Sequence, residues 1–269
     1  MIGASRGSLA SVQESLRSRA GQGDLSALTA DLLAVAGLLG EQKSLRQTLA
    51  DSGQPVAARQ ALVADVLGGK ISAGAVAVVG DVVSQRWSSD RDLIDALELL
   101  AAQATFTAAD AQGTLDRVEN ELFHFGRAVD ASAELQMALT DPSLSSGAKS
   151  KVVTDLLSAK VDSGTLAVIA YFAGHLRGRQ VNSVIDSLSE LAAAQRNQVV
   201  AEVHSVVALD DNQKARLTAA LTKITGRQVK LNVAIDPSVI GGISVKIGED
   251  IIDGTVATRL EDARRSLLA

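Results

Sequence analysis

Cysteine is absent from the 269 residues, proline occurs three times, and aromatic side chains make up 2%. Without cysteine there is no disulfide, no thiol nucleophile and no cysteine-ligated zinc. With so little proline, long stretches are free to be helical, because proline removes a backbone donor and clashes inside a helix. With few aromatics, the 46% hydrophobic content is mainly Ala, Leu and Val, side chains that suit closely packed helices. A basic excess is missing too. The 26 Lys and Arg against 31 Asp and Glu leave a net charge of −5, which argues against nucleic acid as the main partner, since that binding relies on basic surface to displace counterions. Long apolar runs are also lacking: Leu32 to Gly40 falls far short of the roughly 18 residues a spanning helix needs. The N-terminal segment carries polar and charged groups every few positions and has no apolar signal-peptide core. The expectation is a chain that neither crosses a membrane nor is exported.

What is present is a repeat. Sliding the sequence by 90 positions pairs the segment starting at Leu45 with the one starting at Leu135, with 11 identities in 34 ungapped positions, where chance for this composition gives about 3. Upstream, Leu28, Leu32, Val35 and Leu39 recur as Val118, Leu122, Phe125 and Val129, and both sets read as one-sided amphipathic helices. Downstream, with one residue inserted, the run at Leu93 answers the run at Val184. The copies overlap between Asp92 and Gln112, so one helix is expected to close the first bundle and open the second. Gly, Ser and Pro signals at Gly53 to Pro55, Gly68-Gly69, Pro142 to Gly147 and Gly178 separate short helices, as in a compact bundle with short connections.

Near Gln198 the period changes. Val199, Ala201, Val203, Ser205 and Val207 alternate as a strand does, and Asp210 with Gln213 forms a capping-box pattern. Leu217, Leu221 and Ile224 share one face of the helix that follows, which Gly226 ends. Val229, Leu231, Val233 and Ile235 alternate again. After a turn at Asp236-Pro237 come a strand with Ile243, Val245 and Ile247 and a last helix with Val256, Leu260, Ala263 and Leu267. The predicted fold is mainly α: two tandem multi-helix bundles, residues 1–104 and 105–196, then a small α/β domain over 197–269 in the order strand, helix, strand, strand, helix.

No catalytic pattern stands out. Gly241-Gly242 beside a strand suits a bulge or bend better than a phosphate loop. The segment LGGKIS at Leu67 lacks the earlier glycine and the Ser or Thr that a phosphate-binding loop requires. His124, His175 and His204 are far apart, with no second ligand at metal spacing, and structural or surface roles are favoured. Asp210-Asp211 and Glu261-Asp262 fit capping and solvated faces. Arg177 and Arg179 around Gly178 read as a solvated loop, with an acidic partner as the alternative. A nucleophile elbow is absent. Neither catalytic, cofactor-binding nor metal-ligating residues are expected.

The segment from Val233 to Arg264, VAIDPSVIGGISVKIGEDIIDGTVATRLEDAR, resembles the C-terminal signature of the ATP synthase delta subunit family, called the oligomycin-sensitivity-conferring protein in mitochondria. Asp236, Pro237, Gly241, Gly242, Gly248, Asp253 and Gly254 carry it, with Arg259-Leu260 after them, and a structural role is expected for them. Upstream, the stretches from Ser8, from Leu32 and around Leu122 to Pro142 are similar to the family's helical bundle. The ordinary subunit has one bundle; this chain resembles the long form of some high-GC Gram-positive bacteria. In some of those relatives the subunit follows a membrane-anchored b subunit, and here a free-standing form is expected.

The resemblance implies a non-catalytic stator. Its bundle would hold the N-terminal helices of alpha subunits and its C-terminal domain the b subunits, at the cytoplasmic face of the bacterial plasma membrane. It implies no cofactor, no nucleic acid and no direct membrane insertion. A helical adaptor unrelated to ATP synthesis is the alternative reading. Two equivalent bundles facing one position on the head lead to the expectation that one copy grips the head and the other extends or braces the stalk.

Overall fold

The computed structural model describes residues 3–19, 23–196, 198–225, 228–235, 242–247 and 250–253. Small polar residues placed ahead of apolar runs start many of the helices. Asp24 accepts from the Ser26 and Ala27 amides at the head of α2 (Leu25–Glu41), and Ser89 accepts from Asp92 at the head of α6 (Asp90–Ala111). Each such cap satisfies an amide that the helix itself leaves unpaired. Before α2 lies α1 (Ala4–Arg19), and α3 (Lys43–Ala50), α4 (Val56–Leu67) and α5 (Ala73–Ser84) fill the space to α6. Then follow α7 (Leu115–Ala131), α8 (Ala133–Thr140), α9 (Ser146–Leu157), α10 (Ser163–Gly174) and α11 (Val181–Arg196).

The repeat holds at the level of helix ends. Adding 90 to the limits of α2, α3, α4 and α5 gives the limits of α7, α8, α9 and α10 in every case. The first residue of α6 maps onto the first of α11 with the one inserted residue. Polar ties repeat as well. The Ser72 amide donates to Asp31 at 2.8 Å, and at the matching place the Asp162 amide donates to Glu121 at 3.0 Å. The Gly53 amide donates to Asp51 and the Ser143 amide to Asp141, both at 2.8 Å. Gln60 donates to the Gly80 carbonyl and Ser150 to that of Ala170. Arg46 and Gln136 reach back to the carbonyls of Leu39 and Val129 at 2.9 and 3.0 Å. The same interactions are therefore made twice, in three of these four pairs by different side chains.

Two hydrophobic clusters lie along residues 1–195, which form one compact unit. Leu32, Val35, Leu39, Val63, Val79 and Leu97 belong to the first, and Leu122, Phe125, Val129, Val153, Ile169 and Leu188 to the second. Helix α6 enters both. Leu93, Leu97, Leu100, Ala101 and Ala104 pack into the first, while Ala102, Phe106 and Ala109 pack into the second. At the offset of 90, Ala102 and Phe106 correspond to Val12 and Leu16, the buried apolar residues of α1. So α6 serves as the last helix of one bundle and the first of the next, which answers the overlap read from the sequence. Its buried alanines, among them Ala96, Ala101 and Ala104, let neighbouring helices approach closely, which a core poor in aromatics requires.

Residues 196–269 form the second compact unit. Strand β1 (Gln198–Ser205) leads to α12 (Asp211–Thr225), then β2 (Gln228–Ile235), β3 (Ile243–Ile247) and β4 (Asp250–Asp253). The sheet order is β2-β1-β3-β4, with β1 and β2 parallel and the other pairs antiparallel. The parallel pair is joined through α12, as a crossover must be. The capping box at its start is made in both directions: the Gln213 amide donates to Asp210 at 2.7 Å, and the Asp210 amide donates to Gln213 at 3.0 Å. Ala201, Val203, Val229 and Val245 are buried with Leu221 of α12 against them, which is the alternation expected of strands with one packed face. Strand β4 is absent from the predicted order, because four residues are too short a run to show a period. The expected last helix lies outside the described residues.

Candidate interaction surfaces

Two of the seven signature residues fall within the described residues. Gly242 precedes β3 with φ of +84°, a backbone region glycine enters without steric cost. Asp253 closes β4 opposite Ser244. Asp236, Pro237, Gly241, Gly248 and Gly254 lie outside the described residues. Between Gly242 and Asp253, Val245 is buried in the core of the sheet, and Ile243 and Ile247 pack against it.

Sequence reasoning missed a charged clasp. Glu98, on α6 and 1% exposed, accepts from Arg177 at 2.6 Å and from Arg179 at 3.1 Å. Arg177 also donates to Asp95 at 2.5 Å. Burial pushes the Glu98 carboxyl above its usual range, against the pull of the two arginines, with the Asp95 charge adding to the rise. Arg177 has φ of +51°, uncommon for a residue with a side chain. Arg177 and Gly178 are exposed and Arg179 is half-buried, so the loop is open to solvent as the sequence suggested, with both arginines also tied to acidic side chains of α6. Close by, burial and then the Glu98 charge push the Tyr171 phenol upward. Its ring stacks on His175, with centroids 4.1 Å apart and planes at 11°. A cavity of about 320 Å³ opens beside the clasp, lined by Arg6, Leu9, Leu99, Phe172, Ser183 and Leu188 among others.

The two bundles differ in what they expose. On the second, Phe123 and Met137 are 60% and 63% exposed, and Leu144 and Leu156 are also open to solvent. At the matching places of the first bundle stand Leu33, which is buried, the polar Gln47 and Gln54, and Val66, packed against the core. Val56 is the large exposed apolar side chain of the first bundle among the described residues. Among those residues there is no group of three or more His, Asp or Glu placed to hold a metal ion, and no helix long and apolar enough to cross a membrane. His124 sits edge-on to Phe123, and His204 pairs in register with Ser244 in the sheet.

The pattern described as ATP synthase delta (OSCP) subunit matches residues 102–267. The chain belongs to the ATP synthase delta (OSCP) family. It is 44% identical to the ATP synthase subunit delta of Streptomyces coelicolor over 269 residues, covering 99% of this chain and 98% of that one. The subunit delta of Nocardia farcinica is 39% identical, with 99% and 100% covered, and that of Thermobifida fusca is 38% identical, with 99% of each covered. These relatives therefore align along the first bundle as well. The family pattern, by contrast, begins at Ala102, the residue of α6 that enters the second cluster. The second bundle and the α/β domain are the part this family pattern describes.

Proposed function

We propose that this chain is a non-catalytic peripheral-stalk (stator) subunit of a rotary F-type ATP synthase, held at the cytoplasmic face of a bacterial plasma membrane without entering it. The observation that carries the reading is the alignment over nearly full length with chains named ATP synthase subunit delta. In this role the helical bundles hold the N-terminal helices of alpha subunits, the α/β domain holds the b subunits, and the chain resists rotor torque while itself hydrolysing nothing. Several modest contacts on one chain raise residence time through effective concentration. The second bundle is the one that grips alpha, and the first braces the stalk. Two features support that division: the family pattern starts at Ala102, and Phe123, Met137, Leu144 and Leu156 offer apolar anchors of the kind a docked amphipathic helix uses.

Assembled enzyme carrying a photo-crosslinking residue at Phe123, Met137 or Val56 tests both parts. Adducts with alpha are expected from the first two positions. Alpha adducts from Val56 alone would reverse the division between the bundles. If the chain fails to co-purify with alpha and b subunits, the stator reading itself is lost.

A further inference from the structure

We propose that Tyr171 and the Glu98 clasp are positioning residues that fix the second bundle at a set angle on the first, so that residues 1–195 move as one body. The inference does not depend on which partners the bundles hold.

The duplication supplies an internal control. In the first bundle, α1 holds the loop between α5 and α6 through hydroxyls and backbone: Ser8 donates to the Arg86 carbonyl at 2.6 Å, and the Ser88 amide donates to Ser5 at 2.7 Å. At the offset of 90, Ser5 and Ser8 become Asp95 and Glu98. With the inserted residue, Arg86 and Ser88 become Arg177 and Arg179. The same helix-to-loop contact is thus made in the second bundle by two carboxylates and two guanidiniums. Those groups reach further and are more directional than hydroxyls, and the two carboxylates sit on the half of α6 that packs into the first bundle.

Tyr171 departs from the repeat in the same way. Its counterpart is Asp81, which accepts from Ser15 at 2.6 Å and pairs with Arg19 at 2.8 Å. Tyr171 instead packs against both hydrophobic clusters. It meets α2 at Gly37, where an added methyl group would lie 3.7 Å from both the Tyr171 and His175 rings. Gly37 in turn has Arg127 as its counterpart, a side chain that would not admit this approach. Tyr171, Gly37, Glu98 and the two arginines are therefore specialised where one bundle meets the other. The uncommon backbone of Arg177 aims its guanidinium at Asp95 and Glu98 together; such geometry persists where surroundings over-determine it.

The chain has no cysteine, so Ser44→Cys in α3 and Ser158→Cys after α9 give one label on each bundle of the full-length protein. The distance between the labels, read by pulsed electron resonance, is expected to be narrow in the parent and in Y171F, which keeps the ring. Y171D and E98Q are expected to broaden it at least about twofold with helical content unchanged, since loss of one member of a buried polar cluster loosens the rest. Should Y171D lose helical signal, G37L probes the same contact from α2 and is expected to broaden the distribution likewise. Unchanged widths in E98Q and in whichever of Y171D and G37L stays folded overturn the proposal. Equal broadening in Y171F and Y171D overturns the part assigned to the stacked ring.

Discussion

Glu98 shows how one side chain can set geometry without adding much stability. Desolvating a carboxylate costs several kcal/mol, and paired charges only partly offset it, which is why its pKa lies above the usual range despite two arginines. The groups facing it are Arg177, Arg179 and Tyr171 from across the contact and Asp95 from its own helix. A carboxyl with a raised folded-state pKa binds its proton more tightly in the native chain than in the unfolded one. Its contribution is full below the ordinary value near 4.3 and is lost as pH rises through the folded value. The melting temperature of E98Q is accordingly expected to gain on that of the parent as pH rises above about 4. Thermal unfolding at matched ionic strength checks this, and a gap that moves the other way contradicts it. The clasp was not legible in the sequence because its partners stand 79 to 82 positions apart. Two arginines around a glycine look like any solvated loop until the fold brings an acidic helix beside them.

At the scale of elements, α6 carries the most consequence. Leu97 lies in the first core and Phe106 in the second, and both are fully buried. Leu97→Ala is expected to cost about 2–5 kcal/mol and Phe106→Ala about 3–5 kcal/mol by denaturant unfolding. Because one helix serves both cores, each change is expected to shift the same transition; separate loss of one bundle in either variant would speak against a shared element. Most of this level could be read beforehand. Leu49, Val63 and Val78 find the same residue type 90 positions on, and burial of both members of each pair is what keeps such positions alike. The capping box at Asp210 and the strand periods of β1, β2 and β3 were equally visible, since each is written within a few neighbouring residues. The limit was length: β4, with four residues, holds too few alternations to stand out. The exposed Phe123 was invisible for another reason, because its partner in the repeat, Leu33, is buried and periodicity treats the two alike.

For the whole molecule, two compact units follow from separate cores, residues 1–195 and 196–269. Calorimetry is expected to resolve two transitions. The larger belongs to the helical unit, because unfolding enthalpy scales with the number of residues that unfold. A single transition with equal calorimetric and van't Hoff enthalpies would contradict the division. Among the described residues, eleven helices build two six-helix bundles because α6 is counted in both. A chain organised this way can grow without new joints: every further bundle needs only five more helices, and the terminal helix already present becomes the first of the next. Length along the array is then set in steps of about one bundle, as in other repeat proteins whose units contact only their neighbours. Genetic duplication of one such step would extend the reach of the protein while leaving the ends, and what they hold, unaltered.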